Sequence, residues 1–379
     1  MGLFRSSIAA LALGAVCYGA QAGTLIFGAY PNTLTWFDEA KGAVTDRVPL
    51  VEGVPRSLQL SADKSKIFVT TGDHSGIEII DVATHKALSH FALDTPKAAE
   101  ALAFANRRNH VATHYRFNGE VVDPTGRYMY ATLIQMDKGL DRYTVSKPQY
   151  AVIDLEQKKI VRTRDVDEEE ANATGAAYRT ALALSDDGKY LYMFRDKVVV
   201  LNTADLKVVD RIDMAKSEAS DLEAATFGPE LESISQPGEY VSLFNETDPY
   251  IHNRVLGIGR FKLDSRQFSF TPIGPAPTTM QGLQVAPDGK TAYTVVTNGL
   301  YGNKRCELWR FDLPTNTVQD KAEFPCRTRF SFGISANGQK LYIWGASFDM
   351  EVYDAKTLKH ERTWDLNADV TYGNMIVLR

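Results

Sequence analysis

The sequence has 379 residues, of which 44% are hydrophobic and 23% are charged, and its formal net charge is −5. This composition is ordinary for a globular protein and excludes a disordered chain, and it shows no basic excess of the kind that nucleic-acid binding requires. The length allows one large domain or two domains of average size.

The first residues predict an export signal, which we place at residues 1–22. Arg5 precedes a short apolar run from Ile8 to Val16, and Ala20-Gln21-Ala22 follows it with the small residues of a cleavage site. The apolar run is too short to span a bilayer comfortably, although a retained anchor is the alternative. We therefore expect residues 23–379 to form the mature domain, exported to the periplasm.

One sequence repeat recurs along the rest of the chain: a polar turn, a strand, a gap and a further strand that ends in Asp or Asn. The polar turns begin at Ser61, Asp123, Ser185, Ala286 and Ser335. The residues that close the third strand of each unit are Asp38, Asp81, Asp154, Asn202, Asp264, Asp312 and Asp354. Most of their intervals are 42 to 48 residues, which is the length of one four-stranded blade. The repeat predicts an all-β, seven-bladed β-propeller.

The two ends of the mature chain predict how this ring closes. Thr24-Leu25-Ile26-Phe27 matches the second strand of a unit, and the segment from Met375 to Leu378 reads as a lone strand. Pairing the last strand with the first unit completes seven blades and removes the exposed sheet edges that invite aggregation.

Longer intervals predict insertions at residues 95–117, 136–146 and 233–251. Insertions on propellers usually form loops on one face, so these are candidate partner-binding surfaces, with functionless long turns as the alternative. We expect the acidic run from Asp165 to Glu170 to be a solvated loop, although it can also dock a basic partner.

Two cysteines, Cys306 and Cys326, remain in the mature chain and flank a predicted hairpin. An exported protein enters an oxidising compartment, so we expect the two thiols to form a disulfide. A pair of small core residues is the alternative.

The sequence offers no motif for catalysis or for cofactor binding. It contains no Cys-x-x-Cys-His for covalent haem, no glycine-rich nucleotide loop and no Gly-x-Ser-x-Gly elbow. His110 and His114 are four residues apart and can meet on one face of a helix, which makes them weak candidates for a metal site. Zinc needs three or four ligands, so single exposed histidines are the alternative.

Three stretches resemble the beta subunit of quinohemoprotein amine dehydrogenase, and the repeat is similar to the Tyr-Val-Thr-Asn class of bacterial propellers. They are Tyr30-Pro31-Asn32, the segment from Asp141 to Pro148, and the final unit, in its two stretches from Lys340 to Gly345 and from Val352 to Leu358. The similarity extends over nearly the whole mature chain, although the His110 and His114 insertion departs from the family's pattern.

This resemblance implies a three-chain periplasmic enzyme that oxidises primary amines to aldehydes and ammonia. A small subunit would hold cysteine tryptophylquinone, an alpha subunit would hold c-type haem, and the propeller would carry no cofactor and help to wall the quinone pocket. Two other interpretations remain open: a stand-alone exported propeller that acts as a binding module or metal chaperone, and a lactonase-like hydrolase.

Overall fold

The computed structural model describes residues 23–72, 75–94, 110–139, 141–174, 181–194, 197–213, 226–227, 238–247, 250, 253–371 and 373–379. The predicted export signal at residues 1–22 lies outside the described residues. Residues 95–109 of the first predicted insertion and several residues of the third also lie outside them.

The described residues form β-strands joined by short turns, with one α-helix. The chain begins with β1 (Thr24–Ala29), β2 (Thr33–Asp38) and β3 (Ala43–Pro49). A four-stranded sheet follows, made of β4 (Pro55–Leu60), β5 (Lys66–Thr71), β6 (Gly76–Asp81) and β7 (Ala87–Ala92). The next sheet has five strands: β8 (His110–Val122), β9 (Tyr128–Gly139), β10 (Tyr143–Val145), β11 (Gln149–Asp154) and β12 (Lys159–Asp165).

Helix α1 (Glu168–Thr174) leads into the second half of the chain. The third sheet contains β13 (Ala181–Leu184), β14 (Tyr190–Phe194), β15 (Lys197–Asn202) and β16 (Val208–Asp213). The fourth contains β17 (Thr226–Phe227), β18 (Glu239–Thr247), β19 (Arg254–Lys262) and β20 (Gln267–Pro275). The fifth contains β21 (Thr279–Met280), β22 (Gln284–Val285), β23 (Thr291–Asn298), β24 (Arg305–Asp312) and β25 (Thr317–Phe324), with a 3-10 helix (Tyr301–Asn303) before β24.

The remaining strands belong to an eight-stranded sheet that unites distant parts of the sequence. They are β26 (Ser331–Ile334), β27 (Lys340–Trp344), β28 (Ser347–Asp354), β29 (His360–Val370) and β30 (Ile376–Leu378). Its order is β26-β27-β28-β29-β1-β2-β3, and β30 also pairs with β1 through Thr24↔Leu378, Leu25↔Val377 and Ile26↔Ile376. The fold is therefore an all-β propeller in which five sheets are separate in their hydrogen bonding.

The closing Asp and Asn residues of the repeat have a structural purpose. Six of the seven end a strand as predicted, whereas Asp264 lies two residues beyond the end of β19. At the first copy, the Asp38 carboxylate accepts hydrogen bonds from the backbone N–H groups of Ala40 and Lys41 at 2.9 and 3.0 Å. A short polar side chain that hydrogen-bonds to the backbone two or three residues later fixes a tight turn, which explains why Asp or Asn recurs at this position of the repeat.

The hydrophobic core lies between neighbouring sheets rather than inside any one of them. One cluster combines Phe68 and Ile77 of one sheet with Phe117 and Met129 of the next. Fully burying a side chain of this size contributes roughly 1.5–3 kcal/mol, and no sheet can obtain that contribution without its neighbour.

Side chains also join the innermost strands of neighbouring sheets. Gln59 of β4 donates from Nε2 to the Glu120 carbonyl oxygen at 2.8 Å and accepts at Oε1 from the Val122 N–H at 2.9 Å. The inner edge of β8 would otherwise leave these backbone groups without strand partners. The amide of Gln59 therefore makes the two hydrogen bonds to β8 that a neighbouring strand would otherwise make.

All strand neighbours are antiparallel, so the connections of each sheet alternate between two ends. We call one end the upper face. It carries the links from an outermost strand to the next sheet and the links between the second and third strands. Among the described residues it comprises 30–32, 50–54, 72, 75, 93–94, 141–148, 166–174, 250, 253, 276–278, 299–304, 325–330, 345–348, 371 and 373–375. In the described part of the chain, no helix is long and apolar enough to cross a membrane.

Candidate functional site

Exposed apolar side chains are concentrated on the upper face. Ten large apolar side chains are exposed in the described part of the chain, and seven of them lie on this face: Tyr30, Val51, Tyr143, Val145, Tyr250, Leu300 and Phe348. The other three, Leu88, Val161 and Val209, lie on the outermost strands β7, β12 and β16. Tyr250 is the most exposed of the ten, at 80%.

The second predicted insertion, at residues 136–146, is an extension of a sheet. Strands β8 and β9 have 13 and 12 residues, whereas most strands of the chain have about half that length. Short β10 pairs with the far end of β9 through Tyr143↔Lys138 and Val145↔Met136. These three strands therefore extend the upper face and present Tyr143 and Val145 to solvent.

Polar contacts hold this extension in place. Thr113 Oγ1 donates to Asp137 Oδ1 at 2.7 Å, and Gln135 Nε2 lies 3.0 Å from Asp137 Oδ2. Burial raises the pKa of Tyr115, and the nearby carboxylates of Asp137 and Asp94 raise it further. The Tyr115 side chain therefore remains a neutral phenol at physiological pH.

His114, one of the two candidate metal ligands, is oriented by a carboxylate. Its Nδ1 lies 2.8 Å from Asp94 Oδ2, while Asp94 Oδ1 accepts the backbone N–H of Tyr115 at 3.0 Å. A histidine whose Nδ1 is engaged in this way presents Nε2 outward, which is the arrangement common among metal ligands. Within the described residues, however, there is no group of three or more His, Cys, Asp and Glu side chains that could hold a metal ion.

The structure places His110 and His114 on strand β8 and not on a helix. Four residues along a strand span about 13 Å, so the i, i+4 spacing that favours a shared site on a helix separates the two residues here. The His110 side chain lies outside the described part of the structure. A metal site on these two residues stays a prediction, and each histidine would need other ligands.

A disulfide joins Cys306 of β24 to Cys326, whose Cα atoms are 5.2 Å apart. Cys306 lies opposite Phe324 in the sheet, and Cys326 follows two residues later in the connection to β26. The next residue, Arg327, binds Asp349 through both terminal nitrogens at 3.0 and 2.9 Å, and its Nη2 also lies 2.9 Å from Glu351 Oε1. The connection at residues 325–330 is therefore attached at two successive residues.

The acidic run that the sequence predicts to be a solvated loop is partly buried. Glu170, in the first turn of α1, is only 4% exposed, lies 3.1 Å from Arg164 Nη2 and also contacts Arg211. Tyr150 donates a hydrogen bond to the same carboxylate at 3.3 Å. The prediction was wrong for this residue because two arginines, on the outermost strands β12 and β16 of two different sheets, compensate its charge, whereas Glu169 is 86% exposed.

Sequence reasoning missed two buried glutamates near the upper face. Glu78 accepts the Glu52 N–H at 2.7 Å, and burial raises its pKa. Glu246 is 2% exposed and has no hydrogen-bond or ion-pair partner among the described residues; burial raises its pKa as well. For Glu78 the sequence did carry a signal, a charged residue between two apolar strand residues in Ile77-Glu78-Ile79, whereas Glu246 lies between the polar residues Asn245 and Thr247 and carries no such signal.

Comparison with known proteins identifies the fold. No family model matches the chain, and no curated protein matches it. Among solved structures, the chain is similar to a functionally unknown protein of Desulfotomaculum acetoxidans, with 12% identity and a TM-score of 0.54 over 94% of this chain and 99% of that one. It is also similar to the periplasmic gluconolactonase PpgL of Pseudomonas aeruginosa, with 13% identity and a TM-score of 0.53 over 94% and 99% of the two chains.

A third similar structure is AztD of Citrobacter koseri, with 13% identity and a TM-score of 0.52 over 94% of this chain and 98% of that one. At such low identity these similarities establish the architecture and nothing finer. The chain is an all-β propeller whose structural neighbours have diverse activities.

Proposed function

We propose that this chain is the cofactor-free propeller subunit of a periplasmic amine dehydrogenase, an enzyme that oxidises primary amines to aldehydes and ammonia. The observation that carries the proposal is the concentration of exposed apolar side chains on the upper face. Such a surface is typical of a protein that is covered by partners. The identity of the partners rests on the resemblance of Tyr30-Pro31-Asn32, residues 141–148 and residues 340–358 to the beta subunit of that family.

The proposal includes a ring of seven blades. The eight-stranded sheet divides into two four-stranded sets, β26 to β29 and β30 with β1 to β3, which are joined through the single pair Ala29↔Val370. Counting these sets as two blades and adding the five separate sheets gives seven. In this arrangement the pairing of β30 with β1 closes the ring.

In the proposed complex, the upper face docks a small subunit that holds cysteine tryptophylquinone and an alpha subunit that holds c-type haem. The chemistry belongs to those groups, whereas this chain positions the subunits and excludes water from the contact. A stable interface between such subunits buries more than ~1,000 Å² of accessible surface. Tyr250 and Leu300, the most exposed tyrosine and leucine of the upper face, are the side chains that we expect to lose most exposure.

The test is recovery of the complex from a periplasmic extract of the source organism through an affinity tag on this chain. We expect haem absorbance and quinone-dependent staining to co-elute with the tagged protein in constant proportion. Changing Tyr250→Ser together with Leu300→Ser should reduce that recovery at least about tenfold, since large apolar side chains dominate binding energy at interfaces. The matched control, Leu88→Ser with Val161→Ser, removes two exposed apolar side chains from the outermost strands and should leave recovery unchanged. A tagged chain that elutes without haem and quinone, or equal recovery from both double variants, would contradict the proposal.

A second candidate function, metal binding, is favoured by the Asp94 carboxylate that orients His114. Calorimetric titration of the purified protein with zinc would test it. Binding that weakens in His114→Ala and in Asp94→Asn would support a metal-binding module, because an outer-shell carboxylate strengthens its histidine ligand. No heat of binding at micromolar zinc would remove this candidate.

A further inference from the structure

Two neighbouring inner strands carry a β-bulge at the same level. In β4, Arg56 is the extra residue between Pro55, opposite Thr71, and Ser57, opposite Thr70. In β8, Asn118 is the extra residue between Phe117, opposite Leu133, and Gly119, opposite Thr132. Each extra residue lies five positions before the polar turn that follows its strand, at Ser61 and at Asp123. Bulges redirect side chains and are frequent beside functional sites.

The side chains of both bulge residues make hydrogen bonds on a short stretch of β8. Arg56 Nη1 donates to the Phe117 carbonyl oxygen at 2.8 Å, across the boundary between the two sheets. Arg116 Nε donates to Asn118 Oδ1 at 3.1 Å. Asn118 is 2% exposed, whereas both arginine side chains are exposed. One guanidinium group therefore binds the carbonyl directly before Asn118, and the other binds the buried carboxamide of Asn118 itself.

The charge of Arg56 is not balanced locally, because this residue makes no salt bridge within the described part of the chain. The one carboxylate on β8, that of Glu120, accepts a hydrogen bond from the Thr70 hydroxyl at 2.8 Å. Since Arg56 is anchored by a neutral carbonyl, its remaining N–H groups can be directed at a ligand.

We propose that Arg56, Arg116 and Asn118 form a binding site for a small oxyanion, either a carboxylate or a phosphate, at the upper end of the inner strands. A guanidinium group presents two parallel N–H donors that match the oxygens of either anion. The carbonyl of Phe117 fixes the first guanidinium, and the carboxamide of Asn118 fixes the second. The site does not depend on the proposed partner subunits.

Isothermal titration of the purified protein with inorganic phosphate and with sodium lactate tests this site, with glycerol as the uncharged control. We expect at least one anion to bind and glycerol not to bind. Arg56→Gln should weaken anion binding about tenfold to a hundredfold because it removes charge-assisted hydrogen bonds. Arg56→Lys should weaken binding as well, since it keeps the charge but loses the paired donors.

The matched control is Arg142→Gln, which changes an exposed arginine of the upper face that is paired with Asp141 at 2.9 Å. It should bind like the wild type. Binding of phosphate alone or of lactate alone would identify the ligand class. Absence of binding to both anions, or equal affinity in the wild type and in Arg56→Gln, would overturn the proposal. A circular-dichroism melt confirms that each variant is folded.

Discussion

The carboxamide of Asn374 pairs with the backbone of Leu58 as a neighbouring strand would. Its Oδ1 accepts the Leu58 N–H at 2.9 Å, and its Nδ2 donates to the Leu58 carbonyl oxygen at 2.6 Å. The two residues are 316 positions apart in the sequence. Gln59 makes the same kind of contact with the next inner strand, so side-chain amides join the β30 segment, β4 and β8 in succession.

Replacing Asn374 by alanine should therefore lower the free energy of unfolding by about 2 kcal/mol, because both backbone groups of Leu58 lose their partner. Urea denaturation followed by tryptophan fluorescence measures the change. Asn303→Ala, an exposed asparagine in the 3-10 helix, is the control and should shift stability by no more than about 0.5 kcal/mol. Equal midpoints for the two variants would show that the amide contact contributes nothing.

Glu170→Ala should destabilise the protein by about 2 to 3 kcal/mol because it leaves the guanidinium groups of Arg164 and Arg211 without their shared carboxylate. We place the expected loss of stability below the cost of breaking a fully buried pair, since the Arg211 side chain is 53% exposed. The neighbouring change, Glu169→Ala, removes an exposed carboxylate from the same helix turn and should have almost no effect. Thermal melts of both variants test the pair, and a similar loss in each would contradict the assigned role of Glu170.

Removing the disulfide through Cys306→Ala with Cys326→Ser should cost about 3 kcal/mol, the loop entropy expected for cysteines 20 residues apart. A reducing agent should lower the melting temperature of the wild type and leave that of the double variant unchanged. If reduction affects both proteins equally, the effect arises elsewhere.

Glu246 predicts a pH dependence of stability. Burial raises its pKa in the folded state above the value of 4.5 that applies to an unperturbed glutamate. The folded state therefore binds this proton more tightly than the unfolded state does. The contribution of Glu246 to the free energy of unfolding is greatest below pH 4.5 and is lost as the pH rises through the folded-state pKa. Glu246→Gln keeps the shape without the charge, so its stability should fall less than that of the wild type between about pH 5 and about pH 8. Urea titrations at the two pH values measure the change in the free energy of unfolding, with the exposed Glu323→Gln as the control. If that change is the same in Glu246→Gln as in the wild type, the prediction is wrong.

The sequence predicted the elements that local chemistry determines. An Asp or Asn that closes a strand binds the backbone N–H groups directly after it, so the repeat of Asp38, Asp81 and Asp154 marks strand ends within the sequence itself. The pairing of the segment after Met375 with β1 was also predictable, because it gives a lone apolar strand a partner and completes the first unit.

The candidate sites depend on contacts between sheets, which leave little trace in the sequence. The i, i+4 spacing of His110 and His114 fits a helix, and only the pairing of β8 with β9 shows that the segment is a strand. Arg56 and Asn118 look like ordinary polar residues until the register reveals the bulges that they occupy. Glu170 looks solvated until Arg164 and Arg211, from two different strands, are placed beside it.

The pairing of β1 with β30 also has a consequence for how molecules of this protein interact while they fold. The inner neighbour of β1 is β30, which lies more than 300 positions later in the sequence. The edge of β1 that pairs with β30 therefore stays unpaired while the intervening sheets form. During this interval, β30 of a second molecule offers the same three backbone pairs. Refolding at high concentration is therefore expected to yield strand-exchanged dimers that dilution before refolding prevents.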